Sequence, residues 1–466
     1  MISRKFLSAS LTLALVFMVA VSGVAFFTAP VGTVDAQSAQ PEDTVELFQP
    51  FWQAWDLLHV NYVDPLDDPV LAEGALVGLL KAVDQPLFDF PVPEIDPTAE
   101  DTDTLFAPFW ETWALLHETF PDSLDDDELM QTALSDMIET IGDPHTDYFD
   151  PDAFELINEG VSGEYEGIGA VVQQDETTGG LELISIFEGS PAEAAGLRPG
   201  DQIVSVEGEA VTTLSQSEII ALVRGPAGTV VRLGVMRPGE AETLTFDVVR
   251  DRINTPSVTS ELLEDNIGYV RLSRFDANTN SEMRAHLEAL DANNLTGLVL
   301  DMRGNPGGYK FTSIEVASAF IPSGTIMIER GPGFETPSLA LGNAIAPDVP
   351  MVILVDQGSA SASELVSGAF QDNERAIIVG MPTFGKGSVQ IWPTLVNGGG
   401  LRITISRWFT PNGNSVEPGG IIPDVEVDYS PEEISGDPDN QLTAAVQILL
   451  GTYESAEAEL VGTDSQ

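Results

Sequence analysis

The residues best suited to chemistry lie between Asp356 and Gln390, where a serine-rich segment precedes a helical pattern and a lysine follows in a glycine-rich loop. Apolar runs at 351–355 and 376–379 predict buried strands on either side. A serine at a helix start lies near free N–H groups and the positive end of the helix dipole, which together stabilise an oxyanion. If Lys386 is desolvated, its pKa falls and the neutral amine can act as a general base. The pattern is therefore compatible with a serine–lysine hydrolytic site.

A structural role for the same residues stays open on the sequence alone. Ser361-Ala-Ser-Glu364 also fits a helix capping box, which is the commoner role of such a segment. The spacing does not choose among Ser359, Ser361 and Ser363. A lone lysine is usually a solvated surface residue, but this chain has only four lysines, so one placed between two glycines favours a functional role. The four are Lys5, Lys81, Lys310 and Lys386.

Composition excludes several classes of function. Acidic residues outnumber basic ones by 74 to 19, and the net charge of −55 argues against nucleic acid and anionic membrane surfaces as partners. The chain has no cysteine, which excludes disulfides, thiolate zinc sites and a cysteine protease. All four histidines precede the serine segment at 359–363, so a Ser-Lys pair is simpler than a Ser-His-Asp triad. The acidic run 125–127 lacks the spacing of a calcium loop, and no metal or organic cofactor is expected.

Residues 1–36 have the pattern of an export signal. Arg4 and Lys5 precede an apolar run at 6–27, and Val34-Asp-Ala36 fits a signal-peptidase cleavage site. Because the apolar run spans 22 residues, an uncleaved membrane anchor remains the alternative to a cleaved signal peptide. In both cases the body of the protein would lie outside the cytoplasm.

A helical segment is duplicated with an offset of 58 residues, beginning at Phe48 and again at Phe106. Each copy predicts an amphipathic helix with an aromatic face, followed by a second helix. The first copy and an acidic, proline-rich linker span 37–105, and the second copy spans 106–160. We expect the aromatic residues to pack in a core rather than to form a partner surface. One histidine per copy likewise favours packing over metal binding.

Residues 161–250 resemble a PDZ domain, through the segment GIGA at 167–170 and SPAEAAGLRPGDQIVSVEG at 190–208. Gly167, Ile168 and Gly169 would direct backbone N–H groups at a carboxylate. A bound peptide would add to the strand at 170–173, opposite a helix at 215–224. The aliphatic groove predicts apolar C-terminal tails as ligands.

Residues 251–466 alternate strands and helices, as expected for an αβ catalytic domain with a C-terminal helix. A buried strand at 297–300 leads into GNPGG at 304–308, which lacks the Lys-Ser/Thr of a phosphate-binding loop. A simple tight turn is the alternative role for these glycines.

Taken together, SASASE at 359–364, FGKGSVQ at 384–390 and DPHTDY at 143–148 resemble the carboxyl-terminal processing peptidases, also called tail-specific proteases. The resemblance covers about 106–451. It implies a multidomain α+β fold with a duplicated N-terminal helical region, a PDZ-like β-domain and a crotonase-like βαβ catalytic core. It further implies the following roles: Ser361 as nucleophile, Lys386 as general base, Gln390 assisting the lysine, and the N–H groups of Gly307 and Ala362 as oxyanion donors.

The expected function is that of an exported serine endopeptidase, which binds protein substrates by their apolar C-terminal tails and cleaves them through an acyl-enzyme. A homodimer through the N-terminal helices and a membrane tether by 6–27 are the further partner predictions. The alternative is a PDZ scaffold that binds peptides without cutting them. The complete set of Ser361, Lys386, Gln390 and GNPGG favours the enzyme.

Overall fold

The computed structural model describes residues 40–83, 91–121, 123–162, 164–175, 178–187, 189–240, 242–428 and 439–453. The predicted signal peptide at 1–36, with the tether at 6–27, lies outside these residues. Across the described ranges, none of the helices combines the length and apolar character needed to cross a membrane.

The N-terminal region contains the two predicted helix pairs. The four helices are α1 Gln49–Asn61, α2 Asp68–Lys81, α3 Thr102–Thr119 and α4 Asp126–Glu139. Aspartates start two of them: the Asp101 carboxylate accepts the N–H of Thr104, and Asp125 accepts the N–H groups of Asp127 and Glu128. The apolar faces of all four helices share one core. The duplicated helical region is confirmed.

A short connection follows, consisting of β1 Asp147–Phe149 and α5 Pro151–Ser162. Strand β1 pairs antiparallel with residues 400–402, which are about 250 positions later in the chain. The helical region is therefore joined to the last part of the chain by a shared sheet as well as by packing.

The next region has the predicted PDZ architecture. Its elements are β2 Glu164–Gly167, β3 Ala170–Gln174, β4 Leu181–Ile186, α6 Pro191–Ala194, β5 Gln202–Val206, β6 Glu209–Ala210, α7 Gln216–Val223, β7 Val230–Met236, β8 Leu244–Val249 and β9 Asp251–Asn254. The sheet order is β3-β4-β5-β7-β8, with β6 on β5, and β2 pairs with β9 as a separate ribbon. Helix α7 begins with a full capping box from Ser215 and Glu218, and its apolar face closes a small core.

The remaining elements form the αβ core. They are β10 Val258–Leu262, β11 Ile267–Leu272, α8 Thr279–Ala289, β12 Gly297–Asp301, α9 Lys310–Ser318, β13 Thr325–Gly331, β14 Phe334–Leu339, β15 Met351–Val355, α10 Ala362–Asp372, β16 Ile377–Gly380, β17 Ser388–Ile391, β18 Gly400–Phe409, β19 Val425–Glu426 and α11 Asn440–Leu450.

Two sheets of this core bring the glycine loop, the serine segment and the lysine loop together. The first has the order β10-β11-β12-β15-β16-β19 and is parallel from β11 onwards. Since β12 and β15 are adjacent and parallel, the segments after them leave the same edge of the sheet. The second sheet has the order β1-β18-β13-β14, with β17 also on β18. The predicted mixed fold of N-terminal helices, PDZ domain and αβ core is confirmed, whereas the exact domain boundaries stay predictions.

Candidate active site

Ser361 has an unusual backbone conformation directly before α10. Its φ is +53° and its ψ is −110°, in a region that non-glycine residues rarely adopt. Such conformations cost about 1–3 kcal/mol and concentrate at functional sites. The Ser361 side chain lines a cavity of about 870 Å³.

The two neighbouring serines have a different role. Ser359 Oγ donates to the carbonyl of Met302 at 2.8 Å, and Ser363 Oγ donates to the carbonyl of Asn305 at 2.9 Å. Both serines are fully buried. They fasten the serine segment to the loop after β12 and leave Ser361 as the serine of this run that lines the cavity.

The glycine loop lies directly against the serine. Gly307 has φ +103°, and a Cβ at this position would lie 2.8 Å from the Ala360 carbonyl oxygen and 2.9 Å from Ser361 Cβ. Glycine is therefore required by both conformation and space. The same Cβ position would be 3.0 Å from the Ala362 nitrogen, so the two predicted oxyanion residues are neighbours. The N–H of Gly307, however, donates to Asn305 Oδ1 at 2.9 Å.

The adjacent Gly308 presents its N–H differently. The carbonyl of Gly307 accepts from Phe275 N, and Tyr309 N donates to the carbonyl of Phe275. Because the C=O and N–H of a trans peptide point in opposite directions, the N–H of Gly308 points away from Phe275. Gly308 also lines the cavity that contains Ser361.

Lys386 lies on the same cavity. Burial, together with the positive charge of Arg402, lowers the pKa of the Lys386 amine to about 8. The backbone of this residue is held on both sides: its N–H donates to Glu364 Oε2 at 2.9 Å, and its carbonyl accepts from Trp408 Nε1 at 3.1 Å.

A buried carboxylate connects the serine to the lysine loop. Glu364 is fully buried, and its Oε2 accepts the N–H of Ser361 at 2.7 Å as well as that of Lys386. Its Oε1 accepts the Gly385 N–H and the Thr383 hydroxyl, both at 2.6 Å. The capping-box pattern predicted the bond to Ser361. The three bonds to the lysine loop were not predicted, and their only signal was a glutamate at the third helical position.

Gln390 lies on the cavity wall, and its amide contacts polar neighbours on β17 and β18. Its Nε2 donates to Ser388 Oγ at 2.7 Å and to Thr404 Oγ1 at 3.5 Å. The Thr404 N–H in turn donates to Thr146 Oγ1 at 3.1 Å, within the DPHT segment. In the same segment, burial and the positive charge of Lys386 lower the pKa of His145. From the sequence, the segment at 143–146 indicated only a family resemblance and not a position beside β18.

The candidate peptide site is the groove between β3 and α7. Gly167 pairs with Asp251, Ile168 is buried, and Gly169 has φ +79°. The carbonyls of Ile168 and Gly169 accept from N–H groups inside the domain. By the same peptide-plane argument, the N–H groups of Gly169 and Ala170 point to the opposite side.

The histidines of the helical region form ordinary polar contacts. His59 Nε2 lies 2.9 Å from Asp68 Oδ1, and His117 Nε2 lies 2.9 Å from Asp126 Oδ1. Their Nδ1 atoms contact main-chain carbonyls one helical turn earlier. These contacts occupy both nitrogens of each ring.

Comparisons with known proteins agree with the domain organisation. Residues 266–427 match the model of Peptidase family S41, and residues 185–237 match that of the PDZ domain. A carboxyl-terminal-processing protease of Synechocystis sp. is 35% identical over 349 residues, covering 73% of this chain and 82% of that protein. A carboxy-terminal processing protease of Bacillus subtilis is 32% identical over 333 residues, or 71% of each chain. Among solved structures, the photosystem II D1 C-terminal processing protease aligns with a TM-score of 0.46 at 27% identity, covering 89% of this chain and 98% of that one.

The fold and the comparisons define a serine-type hydrolase with a PDZ domain. The chain belongs to the carboxyl-terminal-processing proteases of peptidase family S41. The predicted family and enzyme class are thereby confirmed.

Proposed function

We propose that this protein is an exported endopeptidase, which captures apolar C-terminal tails in its PDZ groove and cleaves the substrate by a Ser-Lys acyl-enzyme mechanism. The observation that carries the proposal is that Ser361 and Lys386 line one cavity while a single buried carboxylate, Glu364, holds the backbone of both. A nucleophile and its base must keep a fixed relation to each other, and this carboxylate supplies it.

In the proposed first step, the neutral amine of Lys386 accepts the proton of Ser361 Oγ as that oxygen attacks the scissile carbonyl. The pKa of about 8 leaves a useful fraction of the amine neutral near physiological pH. The protonated lysine then gives its proton to the leaving amine. In the second step, the neutral lysine takes a proton from water as that water attacks the acyl-enzyme. It then returns the proton to Ser361 Oγ as the ester bond breaks. Gln390 would orient the amine from β17.

The oxyanion donors in this proposal are the N–H of Ala362, at the start of α10, and an N–H of the glycine loop. Gly307 was the predicted loop donor, but its N–H already donates to Asn305 Oδ1. We therefore assign this role to Gly308, which lines the cavity and directs its N–H away from Phe275. Gly307 instead provides the close approach to Ser361.

Substrate capture is assigned to the PDZ domain. The predicted carboxylate site was Gly167, Ile168 and Gly169. Because Gly167 pairs with Asp251 in the β2–β9 ribbon, we assign the site instead to the N–H groups of Ile168, Gly169 and Ala170, and the tail would add to the edge of β3. The partly buried Ile220 of α7 would make the opposite wall apolar, in keeping with apolar tails. Export is supported by the leader pattern at 1–36 and by the net charge of −55. N-terminal sequencing of the mature protein would distinguish cleavage after Ala36 from retention of 6–27 as a tether.

The test is digestion of a folded reporter protein bearing an apolar C-terminal tail. We expect cleavage by the wild type and less than about one thousandth of that rate with Ser361→Ala or Lys386→Ala, since loss of a nucleophile or base typically costs several orders of magnitude. Arg330→Ala, which removes an exposed cation of β13 that pairs with Glu335, is the matched control and should cut normally. Undiminished turnover by Lys386→Ala would refute the dyad.

The same reporter distinguishes the alternative function. Tail binding by the wild type without any cleavage would identify a PDZ scaffold rather than an endopeptidase. Circular dichroism of each variant would show that a lost activity is not a lost fold.

A further inference from the structure

The two helical copies face each other through their first helices. With the offset of 58 residues, each phenylalanine and tryptophan of residues 48–55 has an equivalent in α3. The equivalent pairs are Phe48 with Phe106, Phe51 with Phe109, Trp52 with Trp110, and Trp55 with Trp113.

The ring contacts between the copies come in mirror pairs. For each contact from one residue of the first copy to another of the second, the contact with the copies exchanged is also present at a similar centroid distance. The pairs are Phe48–Phe109 (5.6 Å) with Phe51–Phe106 (5.8 Å), Phe48–Trp110 (4.8 Å) with Trp52–Phe106 (5.0 Å), and Phe48–Trp113 (5.0 Å) with Trp55–Phe106 (5.3 Å). Phe51–Phe109, at 6.0 Å, joins equivalent residues and marks the axis.

This pattern defines the geometry of the contact. In a two-fold, isologous interface, residue i contacts residue j of the other copy, and j contacts i in return. The second helices follow the same rule: a Cβ at Gly74 would lie 2.8 Å from the Asp136 carbonyl oxygen, and one at Gly78 would lie 2.4 Å from the Thr132 carbonyl oxygen. Because Thr132 and Asp136 are the equivalents of Gly74 and Gly78, these two contacts are also mirror images.

We infer that the tandem copies form an internal dimer, in which the first copy takes the place that a second chain would occupy. This face is therefore already covered and is not free to join two molecules. This replaces our prediction of a homodimer through the N-terminal helices.

The side chains at the axis explain why unlike copies pair. Helix α2 has glycine at positions 74 and 78, where α4 has threonine and aspartate, so a small surface faces a larger one. If a first copy paired with another first copy, the facing glycines would leave a gap and packing contacts would be lost. Two second copies would bring Asp136 against its own equivalent, burying two like charges.

A charge contact adds to this preference. Lys81 Nζ of the first copy lies 2.6 Å from Asp136 Oδ2 of the second, and Asp136 is itself largely buried. The residue equivalent to Lys81 in the second copy is Glu139, so a pair of second copies would have no lysine here. The interface thus selects the pairing of copy one with copy two.

The Lys81–Asp136 contact also provides the test, which is cross-linking with a carbodiimide. The reagent activates the Asp136 carboxylate, and the Lys81 amine then displaces the urea to form an amide without a spacer. Unlabelled and ¹⁵N-labelled chains would be unfolded together, refolded, cross-linked and digested for mass spectrometry. We expect cross-linked peptides that are wholly light or wholly heavy, and a monomer near 49.8 kDa, less any leader removed, by light scattering. Asp136→Asn, the matched control, should abolish the cross-link.

Light–heavy cross-links in about half of the product would show that the copies pair between chains, and would overturn the inference. Failure to form the Lys81–Asp136 cross-link in the wild type would also overturn it. A dimer whose cross-links are all within one chain would associate through a different face and leave the inference intact. None of these readouts depends on proteolysis, so they stand apart from the proposed function.

Discussion

At the scale of single residues, the protonation of Lys386 should determine how activity depends on pH. Burial, with the charge of Arg402, lowers its pKa from an ordinary 10.5 to about 8. The neutral amine is the active form, so kcat/KM should rise as pH increases through about 8 and level off above it. The measurement is a pH–rate profile on a peptide without ionisable groups in this range. A profile already flat from pH 6 would contradict the assignment of Lys386 as the base.

A variant of Arg402 tests the cause of that shift. Arg402→Gln removes a positive charge that disfavours the lysine cation, so the limb of the profile should move to higher pH. Arg330→Gln is the matched control, since this arginine pairs with Glu335 on the β13–β14 hairpin and should leave the limb in place. An unchanged limb in Arg402→Gln would leave burial as the whole explanation.

Glu364 should act as a positioning residue. In Glu364→Gln, one carboxylate oxygen becomes an NH₂ group. This group cannot accept the hydrogen bonds that the oxygen receives from main-chain N–H groups. Losing buried charge-assisted bonds costs about 1.5–3 kcal/mol each, so we expect kcat to fall at least about tenfold. Peptide affinity for the PDZ groove should not change, because that site is made by other elements.

The control for Glu364 is Glu374→Gln, an exposed glutamate just after the same helix. Wild-type kcat in Glu364→Gln would show that the carboxylate does not position the dyad. Sequence predicted the bond from Glu364 to Ser361, because a capping box is local. It did not predict the bonds to residues 383–386, because these depend on how two sheets pack.

At the scale of elements, the PDZ groove has a visible end. Gln174, the last residue of β3, donates its N–H to Gln216 Oε1 at 3.0 Å and its Nε2 to the Leu214 carbonyl at 2.8 Å. Strand periodicity places the N–H groups of Ala170 and Val172 on the same open edge as that of Gln174. Since the third of these groups is already used, a tail can bond only to the first two, to Ala170 through its carboxylate and to Val172 through its main chain.

This geometry predicts the length of tail that is recognised. Affinity of C-terminal peptides for the Ser361→Ala protein should rise up to about four residues and then level off, since antiparallel pairing uses alternate residues. Gln216→Ala frees the Gln174 N–H, so longer peptides should gain affinity in that variant alone. Fluorescence polarisation with a peptide series measures this, and Gln447→Ala, at an exposed glutamine of the C-terminal helix α11, serves as the control. A wild-type affinity that keeps rising to eight residues would contradict it.

Individual elements were predictable where their pattern is local. The strand Met351–Val355 is fully buried and was predicted to the residue, and the apolar spacing in 361–370 predicted α10 to within two residues. The three-residue strand at Asp147–Phe149 was missed, because its partner is about 250 residues away and its own sequence is too short to show alternation.

At the scale of the whole molecule, repeat detection identified the two helical copies but not their relation. A sequence offset shows that two segments are alike, whereas mirror contacts appear only when both are in place. The predicted aromatic core was right, and its arrangement changes the expected oligomer. The glycines at 74 and 78 allow α2 to pack closely against α4. The sequence alone does not show that a threonine and an aspartate of α4 face them.

The last prediction tests this internal dimer by making the first copy more like the second. In Gly78→Asp, the new Cβ would lie 2.4 Å from the Thr132 carbonyl oxygen, and the new carboxylate would face Asp136 in a buried contact. Overpacking and a second buried charge should each cost about 1–3 kcal/mol, so the helical region should unfold at clearly lower denaturant concentration. Val77→Asp, one residue away on the exposed face of α2, introduces the same side chain and should change stability by only about 0.5 kcal/mol. The measurement is urea unfolding followed by tryptophan fluorescence, because all the tryptophans except Trp392 and Trp408 lie in the two copies. If the two aspartate variants unfold alike, α2 does not pack against α4 as an internal partner, and the helical region must be free to associate in another way.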